Sequence, residues 1–64
     1  MLYLSEILIQ HHDLESFEDL VQVVRARGQG GERFFSMDVP PPFADTPENW
    51  DAVLEAAFTE VRAR

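Results

Sequence analysis

The run His11-His12-Asp13 is the stretch of the sequence whose side chains come nearest to a metal site. Adjacent histidines point in different directions along a strand, and a helix brings two histidines to one metal only when they are four residues apart. Three zinc ligands from this short run, in a chain with no cysteine, would be unusual. The run therefore favours a polar turn, and we expect no cofactor.

Groups for covalent or acid–base catalysis are equally weak. Ser5, Ser16 and Ser36 lack the sequence context of an activated nucleophile. Paired carboxylates could act as the acid and base of a glycosidase, but nothing in so short a chain indicates a substrate cleft. The glycine-rich segment 28–31 follows a predicted helix and precedes a predicted strand, which is the reverse of a phosphate-binding loop. We expect a protein that is not an enzyme.

Charge is the strongest signal in the composition. Twelve acidic residues stand against five basic ones, all arginine, and the net charge is -7. Such a chain is repelled by DNA, RNA and anionic lipid, and it is attracted to basic surfaces such as those that hold nucleic acid. The alternative is that the acids serve solubility alone.

The length predicts a single domain spanning residues 1–64. A domain of this size buries only about 60% of the surface of its unfolded chain, which leaves room for two layers. Because small secreted domains usually carry disulfides, the absence of cysteine favours a reducing, cytoplasmic setting. Segment 1–10 is apolar, but it lacks a basic start and Ser5 and Glu6 interrupt it, so we expect neither a signal peptide nor a membrane span.

The last third of the chain predicts a helix from about Pro47 to Ala63. Thr46 is a good N-cap, Pro47 suits the first helical position, and Glu48 favours the positive end of the helix dipole. Apolar residues at helical spacing define the inward face: Trp50, Val53, Leu54, Ala57, Phe58 and Val61.

A second helix is predicted between Ser16 and Gly28. Ser16 with Asp19 resembles a capping box with Asp in place of Glu or Gln, and Asp13 with Ser16 is a rival start one turn earlier. Gly28 is a natural terminator, and segment 29–31 makes a flexible connection. The apolar residues of this helix repeat at helical spacing: Phe17, Leu20, Val21 and Val24.

Two strands are predicted on either side of this second helix. Glu32 to Val39 alternates between two faces and ends at the prolines of segment 40–42. Leu2 to Ile9 fits either a strand with a bulge or a short helix. Because a lone strand would lack a ladder, we favour a strand there, paired with Glu32 to Val39. The predicted fold is α+β, a small two-layer domain in the order strand, helix, strand, helix, with two strands packed against two helices.

Acidic residues gather on the outward faces of both predicted helices. The last helix carries Glu48, Asp51 and Glu55. The earlier helix carries Glu15, Glu18 and Asp19. No basic residue stands at the spacing that would neutralise either cluster, and carboxylates along one helix face, at a rise of about 6 Å per four residues, imitate a row of phosphates. We expect these six residues to bind a partner, and the alternative is the ordinary solvated face of an amphipathic helix.

Segment 47–56, Pro-Glu-Asn-Trp-Asp-Ala-Val-Leu-Glu-Ala, resembles the interface helix of barstar, a family of bacterial ribonuclease inhibitors. In that family an Asn-apolar-Asp-Ala run opens a helix, and acids one turn apart face the phosphate-binding site of the nuclease. The resemblance places Asp51 and Glu55 at those acidic positions. Segment 14–20 likewise resembles the first helix of the family, so the resemblance implies a nuclease inhibitor.

The chain as a whole also resembles small phage-encoded anti-CRISPR proteins, in its size, acidity, lack of cysteine and lack of catalytic groups. Several proteins of that class place acidic surfaces where a CRISPR effector would hold target DNA. We therefore predict a DNA-mimicking inhibitor that binds a protein with a basic nucleic-acid-binding surface. It would bind neither nucleic acid nor membrane, and it would be a monomer or weak dimer. Two alternatives stay open: a barstar-like or antitoxin-like nuclease inhibitor, and an adaptor domain that dimerises through Phe34, Phe43 and Trp50.

Overall fold

The computed structural model describes residues 1–60 of the chain. Helices and strands occur there in the order strand, helix, helix, strand, helix. The elements are β1 (Leu2–Tyr3), α1 (Leu4–Gln10), α2 (Phe17–Gln29), β2 (Phe35–Ser36) and α3 (Trp50–Thr59).

The two short strands form a parallel sheet, in which Leu2 pairs with Phe35 and Tyr3 pairs with Ser36. The amide of Leu2 donates to the carbonyl oxygen of Phe34 at 2.9 Å. The α+β class and the pairing of the first segment with the third are thus confirmed. The described residues contain three helices instead of the predicted two.

A strand from Leu2 to Ile9 is wrong beyond Tyr3, because the chain turns into α1 at Leu4. Leu4 and Ile7 lie three residues apart and are both fully buried, because they share one face of α1. Asp38 stabilises the start of α1 from a distant part of the chain. Its carboxylate accepts from the Ser5 amide at 3.1 Å and from the Ser5 hydroxyl at 2.7 Å.

Helix α2 begins as predicted. The Ser16 hydroxyl accepts a hydrogen bond from the Asp19 amide at 3.2 Å. The Asp19 carboxylate accepts a hydrogen bond from the Glu15 amide at 3.3 Å. In a standard capping box it would accept from the amide of the N-cap residue, which here is Ser16. The helix continues past its predicted end, so Gly28 lies within α2 and Gly30 is the C-cap.

The strand predicted from Glu32 to Val39 is wrong in length, since only Phe35 and Ser36 pair. The pairing stops where its partner strand stops, because β1 is only two residues long. The predicted alternation of side chains along this segment is confirmed for the face that contacts the core. Phe35, Met37 and Val39 pack against the core.

Helix α3 begins at Trp50, and its predicted start at Pro47 is wrong. The Thr46 amide donates to the Phe43 carbonyl at 3.1 Å, so Thr46 closes a preceding turn, and its hydroxyl has no partner among the described residues. The N-cap is Asn49, which makes no side-chain capping bond. The predicted final turn of this helix, with Val61, Arg62, Ala63 and Arg64, lies outside the described residues.

Helices α2 and α3 pack side by side and run in the same direction. Phe17 at the start of α2 bonds to Asp45, upstream of α3, while Gly28 near the end of α2 contacts Phe58 near the end of α3. The stacked rings of Phe35 and Phe58, with centroids 5.2 Å apart, join β2 to this pair. The buried core draws on β1 and all three helices: Leu2, Leu4, Ile7, Phe17, Leu20, Val24, Leu54, Ala57 and Phe58.

Candidate partner-binding surface

The acids predicted on the last helix are all exposed. Glu48 lies in the turn before α3, Asp51 lies in its first turn, and Glu55 follows one turn later. The Asp51 carboxylate accepts a hydrogen bond from the Ala52 amide at 2.9 Å and keeps its second oxygen for other donors. Since Asp51 and Glu55 are four residues apart, they occupy the same side of α3.

The acids predicted on the earlier helix are also exposed, but they are not equally available. Glu15 precedes α2, and its amide is bound by the carboxylate of Asp19. Glu18 is in the first turn of α2 and makes no hydrogen bond or ion pair through its carboxylate with the described residues. Asp19 therefore serves the helix start, and Glu18 is the freer of the pair.

Two arginines are held by acids outside the predicted set. Arg25 on α2 forms an ion pair with Glu60 next to α3, and Arg27 lies 3.6 Å from the carboxylate of Glu32. Within residues 1–60, no acid of the predicted set lies within 4.0 Å of a described basic nitrogen. None of these six carboxylates is therefore in a close ion pair within the part of the chain that the structure describes, although Arg33 lines the same groove as Glu55.

The structure does not bring the six acids into one patch. Glu55 lines a groove between α3 and the β2 segment. Glu60 and Val53 line a different groove, between α3 and α2, and Glu18 stands one turn before the α2 residues of that second groove. The α3 acids and the α2 acids therefore occupy different flanks, and a partner that contacts Asp51 and Glu55 approaches from the β2 side.

Helix dipoles account for part of the acidic clustering. Asp51 lies in the first turn of α3, and Glu18 and Asp19 lie in the first turn of α2. Because the two helices run in the same direction, their positive ends are near the same end of the molecule. Each acid there contributes about 0.3–1 kcal/mol to its helix. Glu55 is beyond the first turn, so the dipole does not explain it.

Sequence reasoning missed two carboxylates that organise the fold. Asp45 accepts a hydrogen bond from the Phe17 amide at 2.8 Å, and Asp38 accepts two from Ser5. The hydrogen bonds from the Ser5 side chain and amide lower the pKa of Asp38 below its ordinary value of 3.8. Local sequence patterns predict neither hydrogen bond, because Asp38 is 33 residues from Ser5 and Asp45 is 28 residues from Phe17. Asp38 and Asp45 thus join Asp19 in stabilising helix starts.

No cluster of three or more metal-ligating side chains forms among residues 1–60. Residues 11–13 form a turn after α1, in which the His11 amide donates to the Ile7 carbonyl at 2.9 Å. Within the same described part, no helix combines the length and the apolar character needed to cross a membrane.

Among the described residues, three of the four exposed large apolar side chains lie at the sheet, Met1, Tyr3 and Phe34, and the fourth, Ile9, lies in α1. Phe34 is 64% exposed, whereas Phe43 and Trp50 are partly buried against the core. Of the three aromatic residues suggested for dimerisation, only Phe34 is exposed. Since Leu2 pairs with Phe35, Met1 lies beside Phe34, and Met1 is 68% exposed.

The chain matches no protein-family model, no curated protein and no solved structure. The likeness of segment 47–56 to barstar and the likeness of the whole chain to anti-CRISPR proteins therefore stay predictions. Surface charge and geometry carry the functional proposal.

Proposed function

We propose that this protein is a small acidic inhibitor that binds the basic nucleic-acid-binding surface of another protein. One observation carries the proposal. Asp51 and Glu55 are exposed on one side of α3 and have no basic partner among the described residues, although Arg25 and Arg27 are paired with acids elsewhere. The helix dipole accounts for Asp51 but not for Glu55, which lies beyond the first turn of α3.

Electrostatics favours this kind of partner. The net charge of -7 accelerates association with a basic surface and opposes binding to nucleic acid. Along α3, Asp51 and Glu55 are separated by a rise of about 6 Å, so they can meet basic side chains that otherwise hold neighbouring phosphates. Binding acts by occupation, and no step of chemistry on the partner is required.

Two classes of partner fit this surface. A CRISPR effector presents a basic channel for target DNA, and the overall resemblance to anti-CRISPR proteins favours it. A nuclease presents a basic phosphate site, and the exposure of Asp51 and Glu55 one turn apart on α3 supports the barstar-like alternative. The two differ in the nucleic acid that competes, which is the long target DNA for an effector and the substrate for a nuclease.

Charge reversal with a matched control tests the proposal. Asp51→Arg with Glu55→Arg changes the net charge from -7 to -3, and so does Glu6→Arg with Asp13→Arg, at exposed positions on other parts of the surface. Immobilised wild type and both double variants are exposed to host lysate, with and without excess duplex DNA or RNA, at about 0.1 M and about 1 M salt. The affinity for each captured protein is then measured after its purification.

A supporting result has three parts. Wild type and the control variant bind the same protein, and the α3 variant binds it at least tenfold more weakly, because each close charge pair across an interface contributes about 1.5 kcal/mol or more. Nucleic acid and high salt both displace the captured protein, and thermal melting shows that all three proteins are folded at the assay temperature. Binding that ignores both the α3 reversal and the competitor would show that these acids are only a solvated face.

A further inference from the structure

A groove of about 230 Å³ runs between the β2 segment and α3. Its lining mixes apolar and polar surface, with one base and one acid, and comprises Arg33, Phe34, Phe35, Met37, Glu55, Phe58 and Thr59. Its lining residues come from α3 and the β2 segment, and none comes from β1. The exposed ring of Phe34 stands at this groove.

The edge of β2 that faces away from β1 has no strand beside it among the described residues. The carbonyl of Phe34 faces β1, since it accepts from the Leu2 amide. Backbone groups alternate in direction along a strand, so the N–H and C=O of Phe35 face away from β1. The described residues supply no hydrogen-bond partner for either group. An extended segment laid along this edge would find a donor and an acceptor ready.

Charge decides which kind of segment fits. Glu55 lines the groove, Asp51 lies one turn earlier on the same side of α3, and Glu48 lies in the turn before the helix. A second copy of this chain would bring another net charge of -7 to the edge and be repelled. Arg33 balances Glu55 within the groove itself, so the preference for a basic segment comes from Asp51 beside the groove and from the net charge of -7, while the apolar side chains of the segment enter the groove.

We propose that β2 and the adjoining groove bind an extended basic segment of the partner protein, which adds to the sheet as a further strand. Backbone bonds to Phe35 hold the segment, alternate apolar side chains contact Phe34 and Met37, and basic side chains pair with Glu55 and Asp51. This inference rests on the proposed function for the basic character of the partner. It adds the surface that is used and the conformation of what binds there.

Short peptides test the inference without knowledge of the partner. The first probe is a six-residue peptide, blocked at both ends, that alternates arginine and valine. Two further versions are N-methylated either on the valine amides or on the arginine amides, which removes the donors along one edge or the other. A fourth probe replaces arginine by glutamate. Titration gives each affinity, and amide hydrogen exchange of Phe35 is followed with Leu2, already bonded to Phe34, as the internal reference.

The inference requires that the basic peptide binds, that one methylated version binds at least tenfold more weakly than the other, and that the glutamate peptide does not bind. The Phe35 amide must gain protection while that of Leu2 is unchanged. Equal binding of both methylated versions would overturn the strand addition, and so would no binding at all. A concentration-dependent dimer that protects Phe35 would assign the edge to a second copy instead. None of these outcomes predicts the result of the charge-reversal experiment on α3, so the proposed function is tested separately.

Discussion

Gly28 and Phe58 approach so closely that a Cβ atom added to Gly28 would lie 3.1 Å from the carbonyl carbon of Phe58, and nearer still to its oxygen. Both partners in this contact are backbone, so no side chain can rotate to make room. Glycine in a helix interior usually costs about 1 kcal/mol relative to alanine. At this position the close packing of α2 against α3 outweighs that cost.

Gly28→Ala should therefore destabilise the protein, although alanine is the better helix former. Overpacking of a tight contact costs about 1–3 kcal/mol in free energy of unfolding. Gly30→Ala is the matched control, because its added Cβ would lie 3.4 Å from the nearest atom, an ordinary contact. Denaturant unfolding of the two variants checks the prediction. A Gly28→Ala protein as stable as the Gly30→Ala protein would mean that the helices can separate without cost.

Phe58→Ala should cost about 3–5 kcal/mol, comparable to the whole stability of a domain of this size. Phe58 is 3% exposed and stacks on Phe35, so its loss leaves a cavity between α3 and the sheet. Phe34→Ala serves as the control, since a ring that is 64% exposed should change the free energy of unfolding by no more than about 0.5 kcal/mol. Thermal melting followed by circular dichroism distinguishes the two. Similar melting temperatures would contradict the inward placement of Phe58.

Asp45→Ala should weaken the start of α2. Its carboxylate accepts from the partly buried Phe17 amide, and loss of a capping acceptor costs about 0.5–2 kcal/mol. Asp45→Asn keeps an acceptor oxygen and should lose less. Asp13→Ala, an exposed change of the same charge in a turn, controls for net charge. Faster hydrogen exchange of the Phe17 amide in the Asp45→Ala protein alone would locate the effect at the helix start, and equal losses in the Asp45→Ala and Asp13→Ala proteins would refute it.

The bond between Asp38 and Ser5 should make stability depend on pH in the acid range. Hydrogen bonds from Ser5 hold the pKa of Asp38 below 3.8 in the folded protein. A depressed pKa stabilises the folded state above the unfolded value, and this stabilisation disappears as the pH falls through the folded value. Asp38→Asn should therefore be less stable than wild type at neutral pH, with the difference shrinking below about pH 4.

Ser5→Ala provides the matching variant for Asp38. It removes the hydroxyl donor and should raise the pKa of Asp38 back towards 3.8, as a carbon-detected NMR titration would show. Urea unfolding of wild type and both variants between about pH 3 and pH 7 measures the stability change. A constant difference between wild type and Asp38→Asn across this range would contradict a role for the ionised carboxylate.

Local patterns were sufficient where the relevant partners are near in sequence. Ser16 and Asp19 are three residues apart, so the start of α2 could be predicted from types and spacing alone. The facing of Leu54 and Phe58 followed from the helical period, and the exposure of Asp51 and Glu55 followed from the same period. The fold class also followed, because apolar alternation and apolar periodicity are present in separate segments.

Tertiary structure decided what depends on distant partners. Leu2 to Ile9 fits two patterns equally well, and burial of Leu4 and Ile7 with Asp38 at the helix start selects the helix after Tyr3. The sequence by itself determined a charge of -7 and two helices with acidic faces. Only the folded chain assigns Asp38 and Asp45 to helix starts, pairs Glu60 with Arg25, and places Glu55 at a groove beside β2. The reason is physical: helical period is a property of neighbouring residues, whereas a carboxylate finds its partner only after the chain has closed loops of 28 residues or more.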